Sequence, residues 1–160
     1  MIKINIIAVG KLKEKYLSEA CREYLKRLTP YAKVEIIEIN EYRISDNPSS
    51  SEIELVKEKE GKQILSKISK GAFVIPMCVE GTQLSSEEFS DKINNLMLDS
   101  KGEFTFIIGG SYGLSNEVKQ RGDLKLSFGK ITLPHQLMRV VLLEQIYRAF
   151  SIINNSKYHK

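Results

Sequence analysis

The stretch FTFIIGGSYGLSNEV, residues 104–118, carries Gly109-Gly110-Ser111-Tyr112-Gly113 directly after an apolar run, and so satisfies the G-x-S-x-G pattern of a serine nucleophile. Asp123 and His135 follow in the order Ser, Asp, His that hydrolases of this pattern use. Such chemistry needs the serine on a very tight strand-to-helix turn, with the next backbone N–H serving an oxyanion hole. Here the better helix cap is Ser115, ahead of Glu117 and Val118, which leaves 109–114 as an open glycine-rich loop. No HGGG-type segment follows an earlier strand. G-x-G-x-x-G fails in either register, so the loop is not a dinucleotide fingerprint either. The glycines serve another ligand.

The elements that must position this loop read as alternating strands and helices. Apolar runs rich in Ile, Val and Phe at 2–9, 33–40, 72–78, 104–109 and 124–128 predict strands. Helical periodicity covers 14–28, 52–69, 85–99, a short piece at 115–121 and a long one at 136–152. Ser51-x-x-Glu54 and Ser85-x-x-Glu88 read as capping boxes. The pattern predicts an α/β fold with a mostly parallel sheet of five to six strands and helices on both faces. RISDNPSSS (43–51) is too short a linker to divide domains, so residues 1–160 form one domain. Ligands of parallel sheets sit beyond the strand carboxyl ends, which places the loops after residues 78, 109 and 128 on one rim. Each carries glycine: Gly81, then Gly109, Gly110 and Gly113, then Gly129. A backbone without Cβ lets a flat ligand approach its N–H and C=O groups.

A formal charge of +4 and a sequence pI of about 9.0 permit a polyanionic partner. Lys11, Lys13 and Lys15 with Tyr16 are candidates for gripping phosphates. Cys21 and Cys78 lack the spacing of a zinc site or a disulfide framework, so no metal is expected. No stretch approaches the ~20 apolar residues of a membrane span, and a cytoplasmic protein without membrane association is expected. PHQLMRVVLLEQIYRAF (134–150) predicts a helix apolar almost all round, with a narrow polar sector of Glu144, Gln145 and Arg148, and with Arg139 among apolar neighbours. That surface predicts a homodimer, with Leu142 and Ile146 as positions where a charge would break the dimer or the fold. For Arg139 a structural ion pair or a helix-cap contact is the first reading.

The ordered set AVGKLKEKY (8–16), KEKEG (57–61), FIIGGSYGLS (106–115), ITLPHQLMRVVLLEQIYRAF (131–150) and terminal YHK resembles the ribosomal RNA large subunit methyltransferase H family, of the SPOUT class, over essentially the whole chain. The resemblance implies transfer of a methyl group from S-adenosylmethionine to N3 of a pseudouridine in a stem-loop of 23S rRNA, on assembled ribosomes, by a homodimer. It also implies a C-terminal trefoil knot that forms the cofactor pocket, which composition would not suggest because knots are rare. Carried onto this chain, cofactor contacts fall at Met77, Gly109, Phe128, Gly129, Lys130, Ile131, Thr132 and Leu133. Arg148, Tyr158 and His159 match positions associated with methyl transfer or RNA engagement.

A sulfonium methyl is already activated, so such an enzyme mainly aligns the attacking nitrogen and excludes water. N3 of the base is an imide nitrogen that must lose its proton. Arg148 is assigned to stabilising the developing charge, and the general base stays open, with His159 its obvious titratable candidate. The tail Tyr158-His159-Lys160 is expected at the active site, its own or the partner's, because the residues after the last helix reach roughly 25 Å when extended. A non-catalytic RNA-binding factor on the same fold is the alternative.

Overall fold

The computed structural model describes residues 1–160. Ten elements follow in chain order: β1 (Ile2–Val9), α1 (Lys15–Leu28), β2 (Ala32–Ile39), α2 (Ser50–Ser66), β3 (Phe73–Gln83), α3 (Ser86–Leu98), β4 (Glu103–Ile108), α4 (Asn116–Arg121), β5 (Leu126–Ser127) and α5 (His135–Ile153). The five strands form one sheet in the order β2-β1-β4-β3-β5, every pair parallel. Alternation of side chains sorts the central strands onto two cores. Ile4, Ile6 and Ala8 of β1, with Phe104, Phe106 and Ile108 of β4, face α1, α3 and α5. Ile7, Val9 and Ile107 face α2 and α4 through Ile64 and Val118. Burial on both faces is why these strands read as continuous apolar runs.

Three sequence expectations are corrected. Ser49, not Ser51, caps α2: its hydroxyl accepts from Glu52 N–H while Glu52 accepts from Ser49 N–H. Both serine-glutamate pairs satisfy the spacing, and the first serine after Pro48 takes the cap, which lengthens the helix at its start. Ser85 caps α3 as read. β3 does not end at Cys78 but runs to Gln83, passing a register break between Met77 and Thr82 to pair with the two-residue β5. Gly81 therefore lies in the sheet. A Cβ there would stand 2.8 Å from the carbonyl carbon of Lys125, so glycine is required by close strand approach, not by a rim loop.

Helix α5 is covered more completely by its own chain than its sequence suggested. It packs between α1 and α3, and Leu142, Leu143, Ile146, Ala149 and Phe150 are all buried in the larger core. Leu142 and Ile146 thus support the fold rather than a subunit contact. Arg139, 2% exposed, donates to Glu38 at 2.8 Å and to the Gly10 carbonyl at 3.2 Å, the structural ion pair that its apolar surroundings implied. No helix is long and apolar enough to cross a membrane.

Candidate functional site

Beyond the carboxyl end of β4 and beside the middle of β3 a cleft of about 610 Å³ opens. Its walls come from Met77 and Cys78 of β3, the loop Gly109–Leu114 after β4, the segment Thr132–Pro134, and His135 and Met138 in the first turn of α5. A smaller pocket of about 90 Å³ continues it under Phe128, Gly129 and Ile131, sharing Met77, Thr132, Leu133 and Met138 with the main cleft. Seven of the eight residues implied as cofactor contacts line one or both volumes. Lys130 lines neither and is exposed. Sequence reasoning missed Cys78 and Met138; Met138 follows His135 by three residues, a spacing that puts both on one face of the first turn.

The loop from Phe128 to Pro134 has the backbone of a ligand cradle. Gly129 has φ +122°, a conformation that L side chains rarely adopt, and a Cβ there would meet open space. The Ser127 hydroxyl accepts from Gly129 N–H and donates to Gly129 C=O, both at 3.1 Å, which fixes the entry to the loop. After it, the peptide groups of residues 130–133 have no hydrogen-bond partner in the chain. Backbone donors and acceptors are obligatory hydrogen-bonding groups, and Thr132 and Leu133 of this run line the cleft beside the apolar walls of Met77 and Met138, so their open peptide groups are within reach of an occupant.

The hydrolase pattern does not assemble. The Asp123 carboxylate accepts from Val74 N–H at 2.8 Å, toward the amino end of β3 and away from the cleft. Ser111 is exposed in a loop closed by the Gly110–Gly113 bridge, where its hydroxyl lies 3.5 Å from Glu41. The helix starts only after Ser115, whose side chain accepts from Val118 N–H as read from the sequence.

Arg148, Tyr158 and His159 come together, but away from the cleft, on the polar sector of α5. Glu144 is their hub: one of its oxygens accepts from Arg148 Nε at 2.9 Å and Nη2 at 2.5 Å, and from the Tyr158 hydroxyl at 3.0 Å. The chain reverses after α5 through Asn155 at φ +54°, so the tail folds back along the helix. The Tyr158 ring packs edge-on to Tyr147 with centroids 4.7 Å apart, under the Arg148 guanidinium at 4.9 Å. His159 Nδ1 lies 3.1 Å from Arg148 Nη1, and its Nε2 lies 2.6 Å from Glu87.

These contacts settle protonation roles. Guanidinium only donates and carboxylate only accepts, so His159 Nδ1 is the acceptor and its Nε2–H points at Glu87. That hydrogen bond holds the Glu87 carboxyl below its usual range. Burial, followed by hydrogen bonds to Tyr24 and Glu144, pushes the Tyr158 phenol far above its usual range, so it acts as an O–H donor and not as a base. Glu144 holds the Arg148 guanidinium charged. In this arrangement the imidazole lone pair is taken by Arg148. The tail holds no free base, and its O–H and N–H donors are engaged by Glu144 and Glu87.

Lys13 N–H reaches Gln136 Oε1 at 3.4 Å, which sets the lysine-bearing loop after β1 beside the start of α5 and the cleft mouth. Lys11, Lys13 and Lys15 are all exposed there.

Comparison with known proteins gives one consistent answer. A family described as "Predicted SPOUT methyltransferase" matches residues 2–159. The chain is 54% identical to the ribosomal RNA large subunit methyltransferase H of Carboxydothermus hydrogenoformans over 159 residues, covering 99% of this chain and all of the relative. The same identity and coverage hold for the protein of that name from Bacillus cytotoxicus. A solved structure, that of a probable methylase family protein from Haemophilus influenzae, shares the fold with a TM-score of 0.55 at 15% identity, over 98% of this chain and 70% of the other.

Proposed function

The chain belongs to the SPOUT methyltransferase family, and from that premise we propose that it methylates N3 of a pseudouridine in 23S rRNA, on the ribosome in the cytoplasm, with S-adenosylmethionine as methyl donor. The observation that carries the cofactor assignment is the cradle of unpartnered peptide groups at 130–133, opened by Gly129 and faced by Met77 and Gly109. Heteroaromatic edges and a thioether-like stem suit such a mixture of backbone polarity and apolar wall. When bound, S-adenosylmethionine supplies an activated methyl group on a sulfonium centre.

The chain's own residues do the rest. Leu133, Met77 and Met138 keep water from the cleft, while Thr132 and Leu133 offer backbone hydrogen bonds that fix orientation. Arg148, kept charged and aimed by Glu144, stabilises the negative charge that spreads over the base as N3 loses its proton to solvent water. Tyr158, its O–H donated to Glu144, helps hold that carboxylate against Arg148. In this reading the trefoil crossing is made by the segment after Phe128, which shapes the cradle, and Lys11, Lys13 and Lys15 carry RNA phosphates past its mouth.

A homodimer belongs to the proposal, for a revised reason. Ile131 is 81% exposed, Val79 49% and Leu137 37%, an apolar set around the mouth and the start of α5 that a second copy would cover. Leu137→Glu is expected to shift the protein to monomer in sedimentation with its fold retained; a wild-type monomer that is fully active overturns the dimer.

The deciding experiment incubates the protein with ribosomes and methyl-labelled cofactor and maps the modified nucleotide. Label at N3 of a 23S pseudouridine supports the proposal. RNA affinity without cofactor affinity in calorimetry would instead support a non-catalytic binding factor.

A further inference from the structure

A second pocket, of about 370 Å³, lies between the β3–α3 corner and the exposed stripe of α5. It shares Ser127, Phe128 and Gly129 with the volume assigned to the cofactor, so the two adjoin along these three residues. Resting on the methyltransferase reading above, we infer that this pocket seats the target base and that Gln145 recognises a uracil-type ring in it.

The lining excludes other occupants. No charged side chain faces the pocket: its walls are Leu84, Ser85, Phe128, Val141 and Gln145, with a floor of small and polar residues. A phosphate or a metal ion would find no counter-charge there, whereas a flat neutral base finds an aromatic ring to lie against and hydroxyl and amide groups for its edges. The charged groups sit one hydrogen bond behind, at Glu144 and Arg148.

Gln145 is held in one orientation. Its Nε2 donates to Glu144 Oε2 at 2.8 Å, and a carboxylate accepts only, so the amide cannot be flipped; its Oε1 accepts from the Ser86 hydroxyl at 2.8 Å. The second N–H of that amide has no partner in the chain, on a side chain that lines the pocket. A uracil-type base has a carbonyl oxygen on each side of N3, and charge moves onto both oxygens as N3 is deprotonated. Gln145 donates to one of them and leaves N3 itself free to meet the methyl group where the two volumes adjoin. The bond strengthens as charge develops, which is where a donor accelerates transfer. Cytosine presents an amino group at one of these two positions, and a fixed N–H donor meets it unfavourably.

Two variants test this. Gln145→Leu keeps the stem as far as the δ carbon and removes the donor; it is expected to lower kcat/KM for ribosome methylation by about 10²-fold with S-adenosylmethionine affinity unchanged in calorimetry. Val141→Phe fills the pocket from α5 without touching the Ser86–Gln145–Glu144 chain, and is expected to raise KM for ribosomes at unchanged cofactor affinity. Wild-type activity in either variant overturns the pocket, as does loss of cofactor affinity in parallel with activity. Should Gln145→Leu fail to fold, Val141→Phe decides alone. If the wild-type protein itself transfers no methyl group to ribosomes, the methyltransferase reading falls first, an outcome distinct from an active wild type with an indifferent Gln145.

Discussion

Deleting Tyr158-His159-Lys160 separates catalysis from stability more cleanly than any other single change. The tail's contacts are an edge-on ring pair with Tyr147, a guanidinium over the Tyr158 ring, a phenol hydrogen bond to Glu144 and an imidazole contact to Arg148. An aromatic pair contributes about 0.5–1.5 kcal/mol and an exposed cation–π contact about 0.5–1 kcal/mol. A hydrogen bond to a charged group adds about 1.5–3 kcal/mol, toward the lower end where the site is partly wet. The hydrogen bond of His159 to the exposed Glu87 carboxylate is left out, since an exposed contact of this kind contributes little against water. Together these give about 3–5 kcal/mol. Ordering three residues costs about 3–6 kcal/mol at about 1–2 kcal/mol each. The two nearly cancel, so truncation should change stability by no more than about 2 kcal/mol, or about 8 °C in Tm for a chain of this size. Methyl transfer to ribosomes, by contrast, is expected to fall about 10²-fold or more as Arg148 loses its imidazole partner and Glu144 the phenol that helps hold it. Single-turnover transfer of labelled methyl, calorimetry with cofactor and a thermal melt read the three quantities on one preparation. Full transfer activity in the truncated protein refutes the role of the tail, and a Tm loss well beyond 8 °C refutes the ledger.

Three further changes probe the cleft and its supports. Gly129→Ala forces a side chain into φ +122° at a cost of about 1–3 kcal/mol; the loop should relax into another shape, lowering cofactor affinity at least tenfold in calorimetry while Tm changes little, and unchanged affinity counts against the cradle. Gly81→Ala drives a methyl group against the backbone of Lys125 and is expected to destabilise the protein by about 1–3 kcal/mol in a denaturant melt; a neutral result would mean that β5 does not lie where it is placed. Glu60 is buried on α2 and its pKa is raised, first by desolvation, then further by Glu41, against the hydrogen bond from Tyr42 N–H. A carboxyl raised by folding contributes stability below its unfolded pKa and loses it as pH rises through the folded value, so Glu60→Gln should raise Tm at neutral pH. The gain should vanish in acid melts; a gain that persists there contradicts the assignment.

Alternation of apolar strands with periodic helices, the Ser85 and Ser115 caps, and the motif order were legible in the sequence because each depends on neighbours within a few residues. The same locality explains the errors. Two serine-glutamate pairs fit one helix start, and only the folded chain chose Ser49. Gly81 looked like a rim glycine because the bulge that carries β3 on to Gln83 depends on β5, more than 40 residues later. The apolar surface of α5 was plain from its composition, but how much of it α1 and α3 would cover was decided by packing between segments far apart in the chain. The candidate site divides in the same way. Its cofactor loop is continuous in sequence and could be read as a motif. The link from Ser86 through Gln145 and Glu144 to Arg148 joins the start of α3 to α5, and the tail reaches it only by reversing at Asn155, so that constellation exists through long-range geometry alone.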